Sequence, residues 1–386
     1  MFSSRVPGEL EPNRVARAVR RARADGRSVI DLTVTNPTRA GIHYPPGILV
    51  PLSDPASVSY DPHARGLPGT RAAVACEYAR HGITVAPDGI VLTASTSEAY
   101  SLLFKLLCAP AGDAVLVPVP SYPLFDHLTR LDGVRSISYR LDYHGRWTID
   151  FESIAAAWSS GVRAVLAVSP NNPTGSIVTS DELHRLAHIC AERGVPLILD
   201  EVFMDYPLTA HPAASATSFD CLTFRLGGLS KSVGLPQVKL GWIAVQGPDG
   251  LVSAALERLE LICDTYLSVS TPVQAAAAAL LRDGTPVREA ILDRIRVNDA
   301  ALRRLAAAYP SVDVLPCEAG WSVVLRVPVT RGEEALVLDL LEQDAVLIHP
   351  GFFFDFPHEA FLVGSLLPEP RLFHEGMRHV LERAHA

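Results

Sequence analysis

The chain has 386 residues, 48% of them hydrophobic and 20% charged, with a formal net charge of −8. Such a composition excludes a disordered polymer, and an acidic excess spread along the chain excludes a basic nucleic-acid surface. No apolar run approaches the roughly 20 residues of a membrane helix, so no membrane partner is expected. Cys76, Cys108, Cys190, Cys221, Cys263 and Cys317 stand singly, without CxxC or a zinc-like Cys/His spacing. They point to a reducing cytoplasm, with neither a disulfide framework nor a metal.

In chain order, "NRVARAVRRARADG" reads as a polar helix stopped at Gly26, although its basic character also suits a targeting segment. From about residue 70, helical patterns alternate with short apolar runs. "GIVLTAS", "AVLVPVP", "RAVLAVSP" and "PLILDEV" each resemble a buried strand leading into a polar loop or helix. That alternation predicts an α/β fold with a mostly parallel sheet between helices. Near Asp283 the texture changes. A charged helix pattern (Pro286–Tyr309) precedes "WSVVLRVPV" and "AVLIHPG", which suggests a smaller α+β unit that "DLTVTNPT" near the N-terminus also joins. The expected division is a large domain over 46–284 and a small one from 1–45 and 285–386.

Ligands of open α/β sheets sit beyond the carboxyl ends of the strands. The residues there are Ser95, Thr96, Ser97, Tyr122, Asn172, Asp200, Ser230 and Lys231. The serines and threonine at a helix start make either an N-cap or an anion site. Tyr122 either offers a flat face or fills a turn, and Asn172 is either a donor to a ring oxygen or ordinary turn chemistry. Asp200 ends an apolar strand, where an unpaired carboxylate is costly, so a cation or strong donor should meet it. Anion cradle, flat surface, ring-oxygen donor, buried carboxylate and lysine together suit pyridoxal 5'-phosphate. Lys231 would form the Schiff base, its amine activated by desolvation.

The ordered series "YDPHARGLPGTR", "TASTSEA", "PVPSYP", "SPNNPTG", "LDEVF", "LSK" with "KLGW", and "VLIHPG" resembles the fold-type I pyridoxal-phosphate enzymes of the class I/II aminotransferase family. The resemblance implies a large seven-stranded domain, a small domain from both chain ends and a homodimer. It further implies that Lys231 is catalytic and that Tyr60 and Ser270 serve the phosphate of the neighbouring subunit. An amino group would then pass between an amino acid or amine and an oxo acid or aldehyde. A lyase, decarboxylase or oxidase on the same fold stays open, as does a scaffold without turnover.

Three positions depart from the family pattern. Lys239 stands where the family has a phosphate-binding arginine, and it lacks the guanidinium fork. Phe203 replaces a tyrosine that donates to the ring oxygen, so only Asn172, or else Tyr206, would serve there. Val363 in "VGSLLP" takes the place of the arginine that grips the substrate carboxylate. Arg39 in "TNPTRAG" is the expected substitute, ahead of Arg326 and Arg371. "GFFFDF" is expected to divide between an aromatic lid and the small-domain core.

Overall fold

A computed structural model describes residues 2–8, 10–110, 112–209 and 219–385. Its main sheet has eight strands, in the order Ile90–Thr93, Gly241–Gln246, Thr223–Gly228, Leu197–Asp200, Val162–Val168, Ala114–Val119, Arg135–Tyr143 and Trp147–Ile149. The four pairings from Thr223–Gly228 across to Arg135–Tyr143 are parallel; Gly241–Gln246 runs antiparallel to both of its neighbours. Seven strands are as the family resemblance implied. The eighth, Trp147–Ile149, is a short return strand on the far edge, antiparallel to Arg135–Tyr143.

The central strands are apolar throughout because both faces are covered. In Leu197–Asp200 every residue is buried. The side-chain period of two sends Ile198 to one core, with Leu103 and Leu259, and sends Leu197 and Leu199 to the other, with Leu183 and Leu186. Local signals start and stop the covering helices. Thr179 and Glu182 form a reciprocal capping box ahead of Ser180–Arg193, and Gly194 ends that helix in the left-handed region.

The smaller unit holds a four-stranded antiparallel sheet, ordered Asp313–Val314, Ser322–Arg326, Phe361–Ser365 and His349–Pro350. Ile30–Asp31 pairs in parallel with Val346–Leu347, so the two chain ends meet in one unit. Helices Arg14–Ala24, Thr285–Ala306, Glu333–Gln343 and Pro370–His385 also belong to it. The phenylalanine run divides: Phe353 and Phe354 face the central cavity, whereas Phe356 stacks on Phe361 at 4.5 Å.

Candidate active site

Strands that run parallel deliver their carboxyl ends to one rim, and the smaller unit closes over it. Between them lies a cavity of about 440 Å³. Ser95, Thr96, Ser97, Tyr122, Asn172, Asp200, Phe203, Ser230, Lys231 and Lys239 all reach its wall, although they span 145 positions of sequence.

One end of the cavity has the chemistry to hold an anion. Ser95 caps the helix Thr96–Leu107 by accepting the Glu98 N–H at 3.1 Å, and its carbonyl takes the Ala99 N–H at 3.0 Å. The first two helical N–H groups, those of Thr96 and Ser97, have no partner among the described residues. Donors left over at a helix start, aligned with the positive end of its dipole, make an anion site. Gly241 lets the neighbouring strand press close to this turn: a Cβ there would come within 2.9 Å of the Ser95 carbonyl carbon and 3.1 Å of the Thr96 nitrogen. Lys239 adds a positive charge from a left-handed backbone (φ 61°), a conformation costing a non-glycine residue about 1 kcal/mol.

Asp200, one turn of the same helix away through Tyr100, is buried. It accepts the Tyr100 hydroxyl at 2.6 Å and the Val202 N–H at 3.2 Å. Burial nonetheless pushes its carboxyl above the usual carboxylate range, against the pull of these two donors and of Lys231. Two donors do not repay the desolvation, so this carboxylate would gain from a cationic N–H in the cavity.

Lys231 lies in the single helical turn Leu229–Ser232 that follows strand Thr223–Gly228. Its Nζ has no carboxylate in ion-pair range among the described residues. It lies instead 4.9 Å from the ring centre of Trp321 and 5.6 Å from that of Phe203. Burial holds the amine below its ordinary pKa, and Asp200 opposes this only in part. A larger share of neutral amine at neutral pH follows, as a nucleophile or base requires. Asn172 accepts the Ser322 hydroxyl at 3.1 Å through Oδ1, which leaves its amide N–H groups without a partner among the described residues. Tyr206 does not replace the hydroxyl missing at Phe203. It is fully buried and donates to the main-chain carbonyl of Lys231.

Three expected site residues lie off this wall. Tyr60 is 76% exposed and Ser270 is exposed, both outside the cavity of their own chain. Arg39, expected to grip the substrate carboxylate, sits exposed on the turn Pro37–Arg39 and does not line the cavity. The turn, fixed by Asn36 capping Thr38 N–H at 3.1 Å, presents this side chain to the outside. The weaker candidates also fall away: Arg326 pairs with Asp313 at 3.0 Å on the surface and Arg371 is exposed. Conversely, Tyr100, Trp321, Ser322 and His349 belong to the wall without having been singled out in the sequence.

The comparisons agree with this geometry. Residues 55–362 match the model of the family described as aminotransferase class I and II. The chain is 27% identical over 342 residues to a glutamate-pyruvate aminotransferase of Haemophilus influenzae, covering 86% of this chain and 84% of that protein. It is 26% identical to an alanine aminotransferase of Mycobacterium tuberculosis, covering 87% and 81%. Among solved structures, an alanine aminotransferase from Pyrococcus furiosus superposes with a TM-score of 0.89 at 24% identity, covering 99% of each chain. An aspartate aminotransferase from Thermotoga maritima does so with 0.83 at 20% identity, again over 99% of each. With the family model spanning most of the chain, and the sheet and rim of the fold in place, this protein belongs to the class I and II aminotransferases and is an enzyme that transfers amino groups.

Proposed function

We propose that the enzyme works with pyridoxal 5'-phosphate in this cavity, attached at Lys231, and moves the amino group of an α-amino acid to a 2-oxo acid. The names of its relatives make alanine and glutamate the first donors to test. One observation carries the reading: a buried lysine amine, free of carboxylates, faces the same cavity as an under-solvated carboxylate and a helix start with two unused N–H groups.

The residues suit each part of the cofactor. Thr96 and Ser97 N–H groups, the hydroxyls of Ser95, Ser97 and Ser230, and the Lys239 ammonium would hold the phosphate. Asp200, kept in place by Tyr100, would hold the ring nitrogen protonated, and the resulting charge pair offsets the desolvation of its carboxylate. Tyr122 would lie against the ring, and Asn172, held by Ser322, would donate to the ring oxygen beside the apolar Phe203. When bound, the cofactor supplies the electron sink that makes the Cα–H bond of the substrate acidic. Lys231 Nζ, whose burial favours the neutral form, would take that proton and return it, while Phe203 and Trp321 keep water from competing for it.

The exposure of Tyr60 and Ser270 supports a homodimer in which each reaches the phosphate of the partner's site. Val50, Val58, Leu261 and Tyr266 are exposed apolar side chains of the same segments, and they would be covered in it. The cavity wall draws Thr33, Thr35, Trp321 and His349 from outside residues 46–284, which supports the division of the chain into 46–284 and 1–45 with 285–386. Six free cysteines support a reducing, cytoplasmic setting.

Absorbance spectroscopy tests the reaction. The cofactor-loaded enzyme should lose its visible band on adding alanine or glutamate, gain the near-ultraviolet band of the pyridoxamine form, and recover with a 2-oxo acid. A bound cofactor that reacts with these donors yet never yields the pyridoxamine form would defeat the aminotransfer reading.

A further inference from the structure

The aminotransferase reading leaves one chemical requirement unmet. A substrate α-carboxylate entering a largely apolar cavity needs a fixed donor or cation, and Val363 provides neither. Arg39 lies outside. Of the ionisable side chains that the described residues bring to the wall besides the two tyrosines, Asp200 repels an anion, Lys231 is the reactive amine, and Lys239, two residues before the Gly241 that abuts the helix start, is assigned to the phosphate. The remaining one is His349.

His349 lies in the short strand His349–Pro350, directly opposite Val363 of strand Phe361–Ser365 in the antiparallel register. Residues paired in this way project from the same face with Cβ atoms about 5 Å apart, and both line the cavity. Neither ring nitrogen of His349 has a hydrogen-bond partner among the described residues. Its ring packs edge-on to Phe354 at 5.8 Å and tilted to Phe353 at 5.7 Å, so the imidazole is held by aromatic neighbours and its polar atoms are left unused.

We propose that His349 receives the substrate α-carboxylate, taking from the adjacent strand the task that Val363 cannot perform. The proposal rests on the aminotransferase reading and specifies its substrate class: α-amino acids with a free carboxylate, not carboxylate-free amines. Burial keeps the ring below its ordinary pKa. Asp31, on the strand paired with Val346–Leu347, works in the opposite direction. Lys231 and Lys239 are the other charges facing the cavity beside Asp200. A neutral imidazole already offers one N–H to a carboxylate oxygen, and a bound carboxylate favours the doubly protonated ring, which adds a charge-assisted bond.

The test reads binding without turnover. Propionate and propionamide share shape and differ in charge, and neither carries the amine that transfer needs. Each is titrated into the cofactor-loaded enzyme, and tryptophan fluorescence, to which Trp321 on the cavity wall contributes, reports occupancy. His349→Leu should weaken propionate about tenfold or more and leave propionamide unchanged; His349→Gln, which keeps a donor, should fall between. Adding Val363→Arg to His349→Leu should restore propionate binding, which also shows that the doubly substituted protein is folded. Unchanged propionate affinity in His349→Leu, equal weakening of both probes, or a wild-type enzyme indifferent to propionate would each overturn the proposal. An enzyme that binds propionate through His349 but transfers no amino group would defeat the functional reading and leave this assignment standing.

Discussion

Asp200 shows how single residues carry the site. Its carboxyl is raised by burial and restrained mainly by the Tyr100 hydroxyl, so Tyr100→Phe should raise it further. A carboxyl raised in the folded state costs stability once pH climbs through the folded value, and costs nothing below the unfolded value near 4. Urea unfolding of the cofactor-free Tyr100→Phe protein should therefore show a loss of about 1–2 kcal/mol above neutral pH that shrinks below about pH 4. A loss independent of pH would mean that Tyr100 serves packing alone. Legibility at this scale followed chemistry. Asp200 and Lys231 stood out because a charge at the end of an apolar run demands a partner. Tyr100 did not, because an aromatic one turn into an amphipathic helix reads as core. His349 was hidden for a related reason: inside "VLIHPG" it is a single polar residue in a strand, and only the pairing with Val363 gives it a task. Arg39 was expected at the site because the family's N-terminal segment passes close to the substrate, whereas here it sits exposed on the turn Pro37–Arg39, off the cavity wall.

Among the elements, the sheet was legible because period-two burial on both faces leaves uninterrupted apolar runs. The edge strand Trp147–Ile149 was not, since three residues are too few to show a period. Contacts between elements, invisible in the sequence, fix the reactive turn. Asp205 follows the strand that ends in Asp200. It meets Arg80, His81 at 3.0 Å and Arg288 at 3.4 Å, and Arg288 also donates to the Ser232 carbonyl at 2.8 Å. Helices Pro68–Arg80 and Thr285–Ala306 are thereby pinned to the turn that carries Lys231. Burial alone would raise the Asp205 carboxyl, but the bond from His81 and the charges of Arg288 and Arg80 outweigh it and hold the group low. A depressed folded value gives stability that is present above the unfolded value and lost as pH falls through the folded one. Asp205→Asn should cost about 2–3 kcal/mol in urea unfolding above about pH 5, the difference closing below about pH 4. A difference that persists undiminished in acid would contradict the charge network.

For the whole molecule, the central cavity exists because a parallel sheet brings loops distant in sequence to one rim and a unit made from both chain ends covers it. The division of labour follows from that geometry. The large sheet carries Lys231, Asp200 and the helix start at Ser95, while the smaller unit brings Trp321, Ser322, His349 and Val363 to the same wall. In the proposed homodimer Tyr60 and Ser270, which lie off the cavity of their own chain, would join the partner's site.

The most direct measurement is borohydride reduction of the cofactor-loaded enzyme, followed by peptide mass spectrometry. The reduced pyridoxyl group should appear on Lys231, and Lys231→Ala should lose both that group and amino-group transfer. The group on another lysine, or transfer surviving in Lys231→Ala, would contradict the assignment of Lys231.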